Sequence, residues 1–252
     1  MMLTQFDPNI FVTLVLFSVV VNCDNFPNSI ARCKYADVKC IENAINNVIK
    51  SSTGGIPEID LRSIDPLYIG KTSLEQGAST GPVNIKVRMK NANMLGVKHL
   101  VIDKIVGFEK DPNKSKFEIH GFCPSVRIVG TYQISGKVLV VPVNGHGLAN
   151  ISLYDNSIKM EFLTRTERKA DGEYLIIDDI LYECDSKRMT LKFENLFNDP
   201  VISASMNSFF NENQDILYKE LKQSMNRIFG NIIKKRIQQV FRKFPYRDFF
   251  LD

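Results

Sequence analysis

Over residues 215–244 the chain carries two apolar rows at helical spacing. Leu217, Leu221, Met225, Ile228 and Ile232 form one, and Phe229, Ile233, Ile237, Val240, Phe241 and Phe244 the other. Between Ile228 and Ile233 the rows merge into a band that is apolar on nearly every side. A helix apolar on most sides is buried on most sides, so the rest of the chain has to supply a surface that wraps it. A shorter helical stretch opens at Asp199-Pro200 and runs to about Phe210, with Asn211-Glu212-Asn213 as its break or cap.

Upstream the period is two. Val83, Ile85, Val87 and Met89 alternate with Asn84, Lys86, Arg88 and Lys90, the pattern of a half-buried strand. Similar segments follow around residues 100–106, 116–120, 125–134, 137–143, 151–154, 158–164, 174–177 and 189–193. Turn signals separate them at Asp111-Pro112-Asn113, Ser135-Gly136, Asn144-Gly145, Asp155-Asn156 and Asp171-Gly172. No helical period intervenes, so the reading is an antiparallel meander and not a βαβ array. The expected class is α+β, with the sheet curled round the long helix.

Residues 37–50 read as a first helix, capped by Asp37, with Val38, Ile41, Ile45, Val48 and Ile49 on one stripe. The stretch GIPEIDLRSIDPLYIG, residues 55–70, then joins this helix to the first strand. Pro57 and Pro66 bar a continuous helix and favour an extended path. Ile56, Ile59, Leu61, Ile64 and Leu67 are expected to pack on the end of the wrapped helix, with Glu58, Asp60, Arg62 and Asp65 in water. The segment reads either as a structural seam at one end of the wrapped helix or as a mobile lip.

Residues 10–21 are an apolar run too short to span a bilayer comfortably. Val21-Asn22-Cys23 follows, and the pattern reads as a secretory signal cleaved after Cys23, although Asp7 and no Lys or Arg precedes the run. The expectation is one secreted, soluble domain of residues 24–252, with no further segment suited to crossing a membrane. Of five cysteines, Cys33, Cys40, Cys123 and Cys184 remain, an even set that suggests disulfides in a secreted chain. Cys33 with Cys40 would staple the N-terminal segment to the first helix. Cys123 and Cys184 are then either a second bridge or two buried free thiols. Asn113-Lys114-Ser115, in a turn, and Asn150-Ile151-Ser152, in a strand, are glycosylation sequons.

The net charge of +4 is mild and the cations are scattered. The cluster Lys234-Lys235-Arg236 reads as a solvated helix face rather than a nucleic-acid patch. The three histidines are dispersed and no CxxC occurs, so neither a metal site nor a cofactor is expected. No nucleophile elbow, zinc-protease motif, P-loop or dinucleotide fingerprint is present. Asp178 and Asp179, adjacent on a strand, point to opposite faces and form no acid/base pair. Catalysis is not expected.

Several blocks in order carry a resemblance. The stretch from Gly55 to Ile69 resembles the Gly-Ile-Pro…Asp-Pro-Leu signature of the insect takeout/juvenile-hormone-binding-protein family. Gly130-Thr131-Tyr132, Gly136 and the run from Val141 to Gly147 are similar to a second block of that family. Asn195-Leu196-Phe197-Asn198 with Asn207 and Asn211-Glu212-Asn213 is similar to a third, and Phe244-Pro245-Tyr246 through Phe250 to its ending. Cys33 and Cys40 sit where the family has its N-terminal bridge. Gln214 departs from the family, which usually has Trp there, and is expected to alter packing at the start of the long helix. The resemblance implies a TULIP-like, takeout-type fold, a long helix wrapped by a strongly curved antiparallel sheet around an elongated apolar cavity. It also implies a carrier of terpenoid or fatty-acid-like ligands in haemolymph or chemosensory fluid.

The cavity wall expected on this basis draws Val83, Ile85 and Val87 from the first strand, with Val126, Ile128, Val138 and Val140 from later ones. Phe209, Leu217, Leu221, Met225, Ile228 and Ile232 come from the helices. Tyr132 is the expected polar anchor, through its phenol. Each wall residue has ordinary core as its alternative, and Tyr132 a structural hydrogen bond. The partner implied is a small lipophilic ligand, the chain being monomeric. The rival reading is a secreted signalling protein whose lipid is a permanent part of the fold and whose surface meets a receptor.

Overall fold

The computed structural model describes residues 26–77 and 81–251; the expected cleavage after Cys23 lies outside them. In chain order the elements are β1 (Cys33–Lys34), α1 (Val38–Ser51), β2 (Gly55–Ile56), β3 (Leu61–Arg62), β4 (Leu67–Gln76) and β5 (Val83–Leu95). Then come β6 (Val101–Val106), β7 (Phe117–Val138), β8 (Val141–Lys169), β9 (Gly172–Phe193), α2 (Pro200–Glu212), α3 (Gln214–Lys243) and β10 (Phe250–Leu251). The strands β4 to β9 make one antiparallel sheet in the order β4-β5-β7-β8-β9, with β6 paired to β7. β7 pairs with β8 along one edge and divides its other edge between β6, along residues 118–122, and β5, along residues 127–138.

β8 has 29 residues and would reach about 95 Å if straight. It bends instead, as its neighbours do. Register shifts fall at Lys90/Asn93, Ile102/Lys104 and Leu163/Thr164, and Asn91 and Asp155 take φ of 50° and 52° inside strands. Such irregularities re-aim a strand without ending it. This corrects three expected turns. Ser135-Gly136 lies inside β7, while Asn144-Gly145 and Asp155-Asn156 lie inside β8. The chain reverses at residues 139–140 instead, and at 170–171, where the expected Asp171-Gly172 turn falls.

The free edge of β9 is closed by amide side chains from the two C-terminal helices. Asn207 accepts from the Phe193 N–H at 2.8 Å and donates to the Phe193 carbonyl at 2.8 Å. Asn211 does the same for Leu191. Gln214 accepts from the Met189 N–H at 2.9 Å. The match is geometric. Four helical residues rise about 6 Å, and two strand residues about 6.6 Å. Further along, the Tyr218 hydroxyl donates to the Cys184 carbonyl and accepts from the Ser186 N–H, and Gln238 pairs with the backbone of Leu175 and Ile177. An otherwise open sheet edge is thus covered rather than left to pair with another chain. The Gln214 departure is explained: the residue adds a rung to this ladder.

α3 also reaches the opposite edge of the sheet. The Arg236 guanidinium donates to the Tyr68 carbonyl at 3.0 Å, and the Ser224 hydroxyl to Gln76 Oε1 at 3.0 Å. The helix therefore closes a curled half-barrel between β9 and β4, as the near-all-round apolar band requires. α1 lies over β6, where the Asn46 amide exchanges two 2.8 Å hydrogen bonds with the Ile102 backbone. Asp37 caps α1 through the Cys40 N–H. β1 pairs with β10 in parallel, next to the Cys33–Cys40 disulfide.

Residues 55–70 take the extended path only in part, in β2, β3 and the start of β4. Pro57 opens a single 3-10 turn between β2 and β3, which pair as a small hairpin. Ile56, Ile59 and Leu61 pack with Val240, Phe244 and Phe249 at the end of α3, as the sequence suggests. Asp65 is not simply in water: its carboxylate accepts from the N–H groups of Gly96 and Lys98, each at 3.1 Å.

Cys123 and Cys184 are buried free thiols. They lie on β7 and β9, either side of β8, about 9.5 Å apart by strand spacing, too far to bridge. Burial pushes the Cys123 thiol up to about 11.

Candidate functional site

A row of directly opposed residues, Leu67, Met94, Ile128, Ile151 and Leu191, runs across five strands, and its last three form the floor of the site. Pairing places their side chains on one face. Opposite this floor, α3 presents Leu217, Leu221, Met225 and Ile228 at helical spacing. Between the two lies a cavity. About 100 Å³ of it is open to the centre of a water-sized sphere, within an envelope of about 850 Å³ that includes its open mouth.

Ile85, Val87, Ile128, Val138, Leu217, Leu221, Met225 and Ile228 line the cavity. Thr72 is the one polar side chain among the described lining residues, and no titratable group joins it. The cavity therefore offers apolar contact with no acid or base. Among the described residues no group of three or more His, Cys, Asp or Glu is placed to hold a metal ion.

Six other expected wall residues stand elsewhere. Val140 is 91% exposed at the hairpin tip between β7 and β8, because the expected strand over residues 137–143 is a reversal. Val83 is buried in the core, and Val126 and Phe209, half-buried, pack against it without lining the cavity. Ile232 faces a groove between α3 and β4. Tyr132 does not line the cavity. Its hydroxyl donates to the Glu194 carbonyl at 2.6 Å and its ring packs on Phe193 at 4.8 Å. Burial pushes its phenol up to about 12, so it acts as a structural donor.

That hydrogen bond explains the glycine of the second block. Gly145 bridges to Leu196, and a Cβ on Gly145 would sit 3.0 Å from the Leu196 Cα and the Tyr132 hydroxyl. Leu196, fully buried, anchors the loop that leads from β9 into α2. Of the two sequons, Asn113 is exposed, while Asn150 is half-buried in the middle of β8 and paired on both sides.

The wall also contains residues that periodicity did not flag. Ile69, Thr72 and Leu74 come from β4, where two register shifts between Tyr68 and Thr72 break the alternation. Met189, Leu191 and Phe193 were within an expected strand, and their alternation was a usable signal. These are the three residues whose backbones the amide ladder holds. Phe210 and Phe229 complete the helical side.

The fold matches the crystal structure of Takeout 1 from Epiphyas postvittana with a TM-score of 0.72 at 21% identity, covering 85% of this chain and 96% of that one. The circadian clock-controlled protein daywake of Drosophila melanogaster is 24% identical over 231 residues, 90% of this chain and 89% of that protein. A juvenile hormone-binding protein of Manduca sexta is 29% identical over 82 residues, 32% of this chain and 33% of that protein. The model of the haemolymph juvenile hormone binding protein family matches residues 11–251, nearly the whole sequence, and the chain belongs to that family.

Proposed function

We propose that this chain is a secreted carrier that holds a juvenile-hormone-like terpenoid or a fatty-acid-like lipid between the sheet and α3. The observation that carries the reading is the cavity wall, apolar on every described side but for Thr72. Burial of each ligand CH2 contributes about 0.8 kcal/mol. A chain of about fifteen carbons then reaches roughly micromolar affinity or better once the cost of association is subtracted. Met89, Met189 and Met225 in the wall adapt to the ligand's shape. Among the described residues no helix is long and apolar enough to cross a membrane. The apolar run at residues 10–21 supports export.

Native mass spectrometry of protein secreted from insect cells tests this reading. The expected result is a bound lipid that an added C12–C20 lipid or juvenile hormone displaces without unfolding. A chain that takes up none of them after delipidation refutes it. A lipid released only on unfolding would make it a structural part of the fold.

A further inference from the structure

Beside the apolar cavity lies a second concavity of different chemistry. It is a groove of about 370 Å³ between α3 and the edge strand β4, and it shares Ile69, Thr72 and Ile228 with the cavity. Four cations line it: Arg62 from β3, Lys71 from β4, and Lys235 and Arg236 from α3. No acid lines it, and none of the four forms an ion pair among the described residues. Lys86, Lys159 and Lys222, elsewhere on the surface, each meet a carboxylate instead. Arg236 is held by its bond to the Tyr68 carbonyl, and burial together with the like charge of Arg62 pushes its guanidinium down. The exposed Tyr68 adds its phenol to the rim.

The groove also lies where a chain would enter. The seam between α3 and β4 is latched at Ser224–Gln76 and again at Arg236–Tyr68. The latches are twelve helical residues apart, about 18 Å along α3. The shared residues lie between them. A ligand whose hydrocarbon fills the cavity and whose end projects through this seam meets the cationic groove.

Resting on the carrier reading, we infer that the groove is a headgroup site, selecting a single-chain lipid with an anionic oxygen head, a carboxylate or a phosphate, over a neutral ester or alcohol. Charge-assisted hydrogen bonds from guanidinium and ammonium groups are the stronger kind, and the seam removes part of the head's water. A neutral ester gains only the burial of its chain.

The test uses delipidated full-length protein and calorimetric titration with hexadecanoic acid, methyl hexadecanoate and hexadecyl phosphate. The acid is expected to bind about tenfold tighter than its methyl ester, and its affinity, unlike the ester's, to fall as salt rises. The triple variant Arg62→Gln, Lys71→Gln, Lys235→Gln leaves the Arg236 latch intact and changes only exposed side chains. It should lower acid affinity to that of the ester and leave the ester unchanged. Either anionic lipid exceeding the ester supports the site, and the tighter of the two identifies the head. Acid and ester binding alike in the native protein, or the variant weakening both equally, overturns the headgroup site and leaves the carrier standing. Failure of all three lipids to bind overturns the carrier reading itself.

Discussion

Replacing Asn211 by Leu removes a rung of the ladder between α2 and β9 while keeping side-chain size. Asn211 accepts from the Leu191 N–H at 2.8 Å, and donates to the Leu191 carbonyl at 2.8 Å and the Asn207 carbonyl at 2.7 Å. Leu191 is 8% exposed, and its backbone groups point to the helices, away from β8. The substitution leaves both without a partner. Each unsatisfied buried backbone group costs about 1–3 kcal/mol, so the expected loss is about 3 kcal/mol after some rescue by water at the edge. For a chain of this size that corresponds to a fall in Tm of about 6–12 °C. Thermal unfolding followed by circular dichroism measures it, with hydrogen exchange at the Leu191 amide as the local readout. Because Leu191 also lines the cavity, lipid affinity should fall with the stability. A Tm within about 1 °C of the native protein, with the Leu191 amide still protected, would refute the ladder as a source of stability.

Three further outcomes follow from other parts of the molecule. Val87→Trp should fill the cavity and lower lipid affinity at least about tenfold by titration, with Tm held or raised, because a ring placed in a hole regains lost contacts. Glu118 should shape the acid limb of stability. The Lys116 ammonium first, and then His120, hold its carboxyl at about 2, from an ordinary 4.5. Its contribution is therefore complete above about pH 4.5 and lost as pH falls toward 2, and Glu118→Gln should flatten Tm against pH in that window. Replacing both Cys33 and Cys40 by Ala opens a seven-residue separation and should cost about 2.5 kcal/mol by loop entropy, read from urea denaturation.

The sequence was most legible where period and burial coincide. The stripe Leu217, Leu221, Met225, Ile228 and the strand Ile85, Val87 show their inward faces directly, and both reach the cavity. The curl of the sheet was also legible, since a helix apolar on most sides leaves no other arrangement. Legibility failed where a strand is bent. In β8, Asn144-Gly145 and Asp155-Asn156 carry turn chemistry, yet they serve a close backbone approach and a buried hydrogen-bonding side chain: Asn156 donates to the Cys123 and Leu153 carbonyls. In β4 the register shifts hide the alternation that would have placed Ile69, Thr72 and Leu74. Val140 illustrates the cost of misplacing one reversal, since a single hairpin tip turns an inward residue into an exposed one. Tyr132 looked like an anchor because a buried phenol needs a partner; that partner is a carbonyl 62 residues on, invisible to local pattern. The asparagines of the third block showed their positions but not their role, which depends on α2 lying against β9.

The central claim is that a lipid's hydrocarbon lies between the sheet floor and α3. Isotope-filtered nuclear Overhauser spectroscopy on delipidated protein reloaded with ¹³C-labelled hexadecanoic acid tests it most directly. The account predicts contacts from the chain methylenes to the methyl groups of Ile85, Ile128, Leu217 and Ile228. Contacts confined to exposed residues such as Val140, or none to that set with the lipid bound, would contradict it.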